Sequence, residues 1–286
     1  RTDPDCAQTY ERAFEAAAAC VGGDKVDLIG LGCGGGQKDS RMLACLRRRG
    51  KGGCYLACDV SPAMVLEARR TALDMLPHLD CRPLVCDLGR TENLAATIEE
   101  ILAGTSKAAI DLRAPGSDVS RLFTFFGMIP NFESEAILPR LAEALRPTDF
   151  LLLSANLAPG PDYHGGVETV LPLYDNPMSR DWLMTFLVDL GIERDDGELI
   201  FTIEADPNAA ELLRIAANFR FRRSRQIAVD SQSIEFCAGE TVLLFFSCRH
   251  TPALMRALLG RHRLGVLGEW VARSGEEGVF LVAREQ

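Results

Sequence analysis

Long apolar runs and the common short catalytic motifs are both missing from this sequence of 286 residues. No stretch approaches the roughly 18 consecutive apolar residues that a membrane-spanning helix needs, and the N-terminus has neither a basic start nor an apolar signal core. The four histidines lie far apart, and neither HExxH nor GxSxG occurs, which excludes zinc proteases and nucleophile-elbow hydrolases. We therefore expect a cytoplasmic protein with no membrane partner.

Metal-binding cysteine pairs are also missing, although the chain has ten cysteines. No two of them are spaced as CxxC, and no histidine pair lies nearby to complete a zinc site. The chain is far larger than the small domains that disulfides hold together. We expect mostly buried free thiols and no metal site.

Positive charge is in short supply, with 31 lysines and arginines against 40 aspartates and glutamates and a net charge of −9. A field of this sign repels nucleic-acid phosphates and anionic membranes. The alternating phenylalanines and arginines over 219–225 are typical of a strand with one buried face and one solvent-exposed face. A nucleic-acid-binding patch is the less favoured interpretation of this stretch. With 47% apolar residues, the chain can bury a large core in one domain, or in one domain that carries a second. The expected partner is a small molecule.

The stretch from Val26 to Lys38 predicts a strand, a tight glycine loop and the start of a helix. Glycine suits such a loop because it adopts positive φ and lets backbone N–H groups approach a ligand. Two patterns fit: GxGxxG is met by Gly30, Gly32 and Gly35, and the acidic-x-Gly-x-Gly-x-Gly loop of S-adenosylmethionine-dependent methyltransferases by Gly32, Gly34 and Gly36. In the second pattern Gly30 stands where the acidic residue is usual. A glycine turn without a ligand is the alternative.

Two aspartates follow the next two predicted strands. A strand over 54–59 ends in Asp59, and a strand over 82–86 is followed by Asp87 and Leu88. In doubly wound sheets the ligand lies across the carboxyl ends of the strands, so both carboxylates face one crevice, where one can hold ribose and the other an adenine amino group. A dinucleotide reductase uses the first carboxylate but does not require the second one. The presence of Asp87 therefore favours S-adenosylmethionine over NAD as the cofactor. A helix cap before Ser61 is the alternative role for Asp59.

The rest of the chain continues the alternation and then changes character. We predict a strand over 122–126 before Asn131, a strand over 150–155, a loop over 159–178, and a helix over 179–190 with Trp182 and Phe186 on its apolar side. Further strands are predicted over 199–204, 213–221, 234–236 and 241–248. A helix over 252–261 and antiparallel strands over 264–271 and 278–283 then close the main sheet.

The order of these features resembles the histidine-specific N-alpha-methyltransferase family of ergothioneine biosynthesis. The stretches that carry the resemblance are Gly32-Cys-Gly34 with Lys38, Asp59-Val-Ser-Pro, Asp87, Ile129-Pro-Asn131-Phe, Arg146-Pro-Thr-Asp149, Tyr174-Asp175, and Gly239-Glu240 through Ser247-Cys-Arg249. The resemblance implies an α/β fold: a doubly wound class I methyltransferase (Rossmann-like) sheet with an inserted α+β substrate-binding lobe. The domains expected are 1–164 for S-adenosylmethionine, 165–249 for the lobe, and 250–286 for the return to the sheet.

The resemblance also implies roles for individual residues. Those expected to bind the cofactor are Gly32, Gly34 and Lys38 near its methionine part, Asp59 at the ribose, and Asp87 and Leu88 at the adenine. Asn131 and Tyr174 would hold the amino acid substrate by its amino and carboxylate groups, and would orient the amine for methyl transfer. Arg1-Thr-Asp3 resembles the start of a motif whose preceding tyrosine reaches cofactor or substrate. Because the sequence starts at arginine rather than methionine, we expect a fragment with that tyrosine upstream.

The pocket for the substrate side chain departs from the family. The family has a glutamate two residues before the serine that matches Ser247, and here that position is Phe245; Ile215 stands in place of a methionine. A basic ring buried without its acidic partner is costly. We therefore expect a methyltransferase acting on the amine of a small amino acid-like substrate other than histidine. An S-adenosylmethionine-binding protein without transfer activity and an NAD-type oxidoreductase are the alternatives, and the oligomeric state stays open.

Overall fold

A computed structural model describes residues 4–104, 119–229 and 232–285 of the chain. Its helices are α1 (Pro4–Cys20), α2 (Gln37–Arg48), α3 (Pro62–Met75), α4 (Leu94–Ala103), α5 (Ser134–Ala144), α6 (Tyr163–Val170), α7 (Pro177–Asp189) and α8 (Pro252–Arg261). Its strands are β1 (Val26–Leu31), β2 (Cys54–Asp59), β3 (Asp80–Val85), β4 (Ser120–Phe126), β5 (Phe150–Asn156), β6 (Gly197–Asp206), β7 (Ala209–Phe221), β8 (Arg225–Val229), β9 (Gln232–Phe236), β10 (Thr241–Arg249), β11 (Leu264–Val271) and β12 (Glu277–Arg284). Short 3₁₀ turns cover Ile129–Asn131, Leu171–Leu173 and Arg194–Asp196.

The chain forms two compact units. The first consists of Arg1–Ala155 and Pro252–Gln286, and the second of Asn156–Thr251. The second unit is thus inserted into the sequence of the first. None of the helices in the described ranges has both the length and the hydropathy to cross a bilayer.

The first unit contains a seven-stranded sheet in the order β11-β12-β5-β4-β1-β2-β3. Strand β1 pairs in parallel with β2 on one side and with β4 on the other, while β11 and β12 pair antiparallel. This order confirms the doubly wound α/β sheet that the sequence predicted. Because the winding reverses beside β1, a crevice for a ligand is expected at the carboxyl ends of β1 and β4.

Both faces of this sheet are covered, as β1 shows most clearly. All six of its residues are buried. On one face, apolar residues of α1, α2 and α3 pack against side chains that include Leu28, Tyr55 and Leu122. The alternate residues Ile29 and Phe123 are buried as well. A parallel sheet covered in this way needs nearly continuous apolar strands, which is why β1, β2, β4 and β5 were recognisable from sequence.

The second unit has a three-stranded antiparallel sheet, in which β7 lies between β6 and β10, and a separate β8–β9 hairpin. In β7 and the turn after it, Phe219 and Phe221 are buried, whereas Arg220 and Arg222 are exposed and pair with Glu198. The alternation in this stretch therefore follows the two faces of a strand, as predicted. Strand β8 was not predicted.

The expectation of a loop over 159–178 was wrong in part, because α6 lies inside it. Asp162 caps this helix by accepting a hydrogen bond from the Gly165 N–H. Two adjacent glycines disfavour a helix, which is why a loop was predicted. The structure gives another reason for Gly166: a Cβ there would lie 2.3 Å from the Pro159 carbonyl oxygen, so a larger residue would clash. The glycine is there for close backbone approach rather than for a flexible loop.

The apolar side of α7 was also predicted wrongly. Trp182 and Phe186 are 67% and 60% exposed. The residues that the helix buries are Leu183, Met184 and Leu187. The helix is apolar around much of its circumference, so helical periodicity did not single out the buried side.

A buried ion pair joins β4 to the turn before β5. Arg121 donates to the Asp149 carboxylate, and these two side chains are 3% and 1% exposed. Asp149 also accepts the backbone N–H of Arg146, at 2.8 Å. The same guanidinium reaches Glu99, whose side chain is 45% exposed.

The variant Asp149→Asn would leave the Arg121 charge buried opposite a neutral group. We expect it to lower the free energy of unfolding by about 3 kcal/mol or more. Glu99→Gln is the matched control, since it faces the same guanidinium from a half-exposed position and should lose less than about 1 kcal/mol. Urea denaturation measures both, and equal losses would contradict the importance of the buried partner.

Candidate functional site

The glycine loop connects β1 to α2 as the sequence predicted. Gly32, Gly34 and Gly36 have φ values of 64°, 51° and 75°, in the left-handed region that favours glycine. A Cβ at Gly36 would lie 2.7 Å from the Ala68 Cα of α3, so α2 can begin this close to α3 only with glycine there. The Cys33 N–H donates to the Cys58 carbonyl at 2.9 Å, which holds the loop to the end of β2.

A cavity of about 620 Å³ opens over this loop within the first unit. Its lining residues include Leu31, Gly32, Gly34, Lys38, Phe126 and Met128. At Gly34 the direction in which a Cβ would point is open space. The loop therefore presents backbone to a cavity large enough for part of a nucleoside-sized ligand.

Asp59 ends β2 and fixes the glycine loop. One carboxylate oxygen accepts the Gly34 N–H at 3.0 Å, and the other accepts the Ser61 N–H at 2.9 Å. Ser61, not Asp59, caps α3, because its hydroxyl accepts the Met64 N–H. The alternative of Asp59 as a helix cap is thus excluded. Each of its oxygens keeps accepting capacity for a ligand hydroxyl.

The segment after β3 lies beside Asp59. The Cys86 N–H donates to the Asp59 carbonyl at 2.9 Å. Asp87 is exposed and accepts the Gly89 N–H at 2.9 Å, while Leu88 is buried. The structure thus brings the two acidic strand ends together, and their roles toward ribose and adenine stay predictions.

Lys38 takes part in a polar cluster that the sequence analysis did not identify. Its ammonium donates to the Tyr10 hydroxyl at 2.6 Å and lies 3.5 Å from a Glu277 carboxylate oxygen. Tyr10 and the Cys6 thiol also donate to Glu277. Burial opposes ionisation of Glu277, but the Lys38 charge and these hydrogen bonds hold its pKa below the usual range. Nothing local in the sequence links α1 to β12, and the ligand role of Lys38 stays a prediction.

Asp39, in the first turn of α2, is a second carboxylate that the sequence analysis missed. It is 3% exposed, and it accepts hydrogen bonds from the Tyr55 hydroxyl and the Thr124 hydroxyl, both at 2.7 Å. Burial raises the pKa of its carboxyl to about 6, and the two hydroxyl donors act in the opposite direction. The side chain therefore joins α2 to β2 and β4 beneath the glycine loop.

Four predicted substrate residues come together in the second unit. Tyr174 shares a hydrogen bond of 3.1 Å with Ser247, and the Phe245 ring centroid lies 5.8 Å from that of Tyr174. Ile215 is the direct partner of Ser247 across the β7–β10 ladder. Phe245 and Ser247 are two residues apart in one strand and so face the same side. The structure thus brings these four residues together, and their role as a side-chain pocket stays a prediction.

Two further residues complete this cluster. Arg249, 1% exposed, donates to the Tyr174 hydroxyl at 2.5 Å and to the Leu157 carbonyl at 3.2 Å. The Asn156 amide donates to the same hydroxyl at 3.3 Å. With both accepting positions of Tyr174 used, its own proton points to Ser247. The sequence did offer a signal for Arg249, since it ends the Ser247-Cys-Arg249 stretch that carries the resemblance.

Asn131 lies in the first unit, at the end of the 3₁₀ turn that follows β4, and is exposed. Its backbone N–H donates to the Met128 carbonyl at 2.9 Å. The residues Arg1–Asp3, expected to begin a ligand-contacting motif, lie outside the described ranges. All ten cysteines are free thiols, and within the described residues no cluster of His, Cys, Asp and Glu side chains could hold a metal ion.

Comparisons with known proteins give a matching family and a similar protein. Residues 8–284 match the family described as histidine-specific, S-adenosylmethionine-dependent methyltransferases. The histidine N-alpha-methyltransferase of Mycobacterium tuberculosis (strain CDC 1551 / Oshkosh) is 26% identical, across 96% of this chain and 79% of its own length.

Two solved structures also match the chain. A possible exported protein from Bordetella parapertussis has a TM-score of 0.51 at 11% identity, across 98% of this chain and 68% of that one. The magnesium protoporphyrin IX methyltransferase from Synechocystis PCC 6803, with bound S-adenosylhomocysteine, has a TM-score of 0.46 at 14% identity, across 98% and 84%.

The Asp39 carboxyl gives protein stability a pH dependence of defined sign. Its pKa of about 6 lies above the ordinary value of 3.8, so its contribution to stability is full below pH ~4 and is lost as the pH rises through ~6. Asp39→Asn cannot ionise, and we expect it to gain about 2 to 3 kcal/mol relative to the wild type between pH ~4 and ~7. Urea denaturation across this range measures the difference. A difference that does not change with pH would contradict the raised pKa.

Proposed function

The chain belongs to the histidine-specific, S-adenosylmethionine-dependent methyltransferase family, and from this premise we propose that it methylates the amine of a small amino acid-like substrate other than histidine. Its cofactor is S-adenosylmethionine, and its fold is the class I, Rossmann-like methyltransferase sheet predicted from sequence. Membership of this family sets aside the NAD-type alternative. The observation that carries the substrate proposal is the Phe245 ring beside Tyr174 and Ser247.

The first unit has the groups that the cofactor needs. Backbone at Gly32 and Gly34 borders the cavity, and the Asp59 carboxylate keeps accepting capacity for ribose hydroxyls. Asp87 and Leu88 offer a polar and an apolar contact for adenine, and Lys38 a cation for the methionine carboxylate. When bound, S-adenosylmethionine supplies an electrophilic methyl group on a sulfonium sulfur.

The second unit has groups that suit an amino acid. A guanidinium is a strong partner for a carboxylate, and Arg249 already donates to the Tyr174 hydroxyl. We assign the substrate carboxylate to Arg249 and Tyr174. Asn131, at the carboxyl end of β4, is assigned to the amino group.

Side-chain selectivity is assigned to Ile215 and Phe245. Neither residue offers a hydrogen-bond acceptor for an imidazole N–H. Ser247 has one hydroxyl, which can satisfy only part of a ring with two nitrogens. An apolar or aromatic substrate side chain leaves no polar group unpaired there.

Catalysis of this kind needs alignment more than acid–base chemistry. By resemblance to the family, Asn131 would orient the amino group of the substrate and Tyr174 would hold its carboxylate, so that a neutral amine is aligned for methyl transfer. The amine proton leaves to solvent after transfer. The assay is formation of S-adenosylhomocysteine by the purified chain with each of a panel of amino acids. Binding of S-adenosylmethionine without turnover on any of them would favour the binding-protein alternative.

The variant Asp59→Ala should weaken S-adenosylmethionine binding. It removes hydrogen bonds to ribose and also the two bonds that fix the loop at Gly34 and Ser61, so we expect a loss of about 1 to 3 kcal/mol. Isothermal titration calorimetry measures the affinity. The control is Asp74→Ala, which removes an exposed carboxylate of α3 far along the helix. An intact Asp59→Ala variant with wild-type affinity would remove Asp59 from the cofactor site.

Histidine should be a poor substrate, and Phe245→Glu should improve it. With equal amounts of histidine and apolar amino acids and a labelled methyl donor, the wild type should label an apolar amino acid in preference. The glutamate restores an acceptor for the imidazole N–H, so we expect the share of label on histidine to rise about tenfold or more. Product identity is read by chromatography.

The matched control is Leu243→Glu, which adds the same charge to an exposed position of the same strand, on the other side of the register shift between Leu243 and Phe245. It should leave product distribution unchanged. A wild type that methylates histidine best would mean that Phe245 does not line the side-chain pocket.

A further inference from the structure

The Asp39 carboxylate occupies the space of a missing side chain. Gly30 lies in β1, at the position where the glycine-loop pattern usually has an acidic residue. A Cβ built at Gly30 would stand 2.1 Å from an Asp39 carboxylate oxygen and 3.1 Å from a Tyr55 ring carbon. Real Cβ atoms essentially never approach so closely, so the two side chains exclude one another.

The position of Asp39 is defined by partners on two strands. Tyr55 of β2 and Thr124 of β4 each donate a hydrogen bond to it, and all three side chains are buried. β1, with Gly30, lies between those strands. The carboxylate thus sits over the central strand, pinned from both neighbours, directly beneath the loop that Gly32 begins.

We propose that Asp39 supplies, from α2, the carboxylate that the usual pattern places at position 30 of β1, and that it acts as the positioning residue of the glycine loop. The inference rests on the proposed cofactor site over that loop. Asp39 fixes the first turn of α2 to the sheet, so the loop is held at both of its ends. Its charge also favours a ligand that carries a sulfonium and an ammonium group.

The test moves the carboxylate from one position to the other. Gly30→Asp/Asp39→Ala places it on β1, and Gly30→Ala/Asp39→Ala is the matched control that differs only in lacking it. The single variants Gly30→Asp and Asp39→Ala complete the set. Calorimetry at pH ~8 gives the affinity for S-adenosylmethionine, and thermal denaturation reports folding.

Because the two side chains exclude one another, the variants should differ in melting temperature and in S-adenosylmethionine affinity in a definite order. Gly30→Asp alone should lower the melting temperature strongly, because its Cβ meets the Asp39 oxygen. The control double variant should fold but bind S-adenosylmethionine about tenfold or more weakly. The exchange variant should melt above Gly30→Asp and bind within about threefold of the wild type.

Equal affinities of the two double variants would overturn the proposal, as would a Gly30→Asp variant as stable as the exchange variant. If the double variants do not fold, Asp39→Asn decides, since it keeps the size of the side chain and removes its charge. It should bind about fivefold or more weakly, and wild-type affinity overturns the proposal. Asp59→Ala distinguishes failure of the proposed cofactor site from failure of the role of Asp39. If Asp59→Ala binds S-adenosylmethionine with wild-type affinity, the proposed cofactor site is wrong. If it binds weakly while the two double variants have equal affinities, only the role of Asp39 is wrong.

Discussion

The hydrogen bond from the Gly34 N–H to the Asp59 carboxylate is the contact on which the first unit's site depends. It joins a loop in which four of the five residues are glycine to the end of the neighbouring strand. A glycine loop is free to adopt many conformations, so its useful shape must be imposed from outside. Asp59 imposes it from β2, the Cys33–Cys58 backbone bond reinforces it, and close approach to Ala68 fixes where α2 begins.

The part of this arrangement that local sequence encodes could be predicted. Buried parallel strands read as apolar runs, so β2 was predicted with the bounds it has, Cys54–Asp59. An acidic residue at the end of a parallel strand must lie at the same edge as its neighbours, which placed Asp59 and Asp87 together. In the second unit, the resemblance to the family implied that Phe245 and Ser247 share a pocket, and their two-residue spacing in β10 does put them on one face.

The parts that could not be predicted depend on residues far apart in the chain, or on close packing. Tyr10 and Glu277 meet only because α1 packs on β12. The sequence predicts a loop at Gly166, and only the structure shows that the Pro159 carbonyl lies too close for any larger residue. The exposure of Trp182 and Phe186 depends on which side of an evenly apolar helix meets the sheet. In each case the deciding contact lies outside the window over which periodicity is read.

Gly30 and Asp39 show why a departure from a motif has to be interpreted in three dimensions. In the sequence, Gly30 occupies the position where the pattern has an acidic residue, and the missing carboxylate weakens the match to a methyltransferase loop. In the fold, a carboxylate is present at the same place, carried by α2 and held by Tyr55 and Thr124. Phe245 is the opposite case, because it packs with Leu183, Leu199 and Ala217 and lies beside the Tyr174 ring, none of which carries a carboxylate. If both proposals hold, the first departure moves a charge and leaves the site's chemistry in place, whereas the second removes a charge and favours a substrate other than histidine.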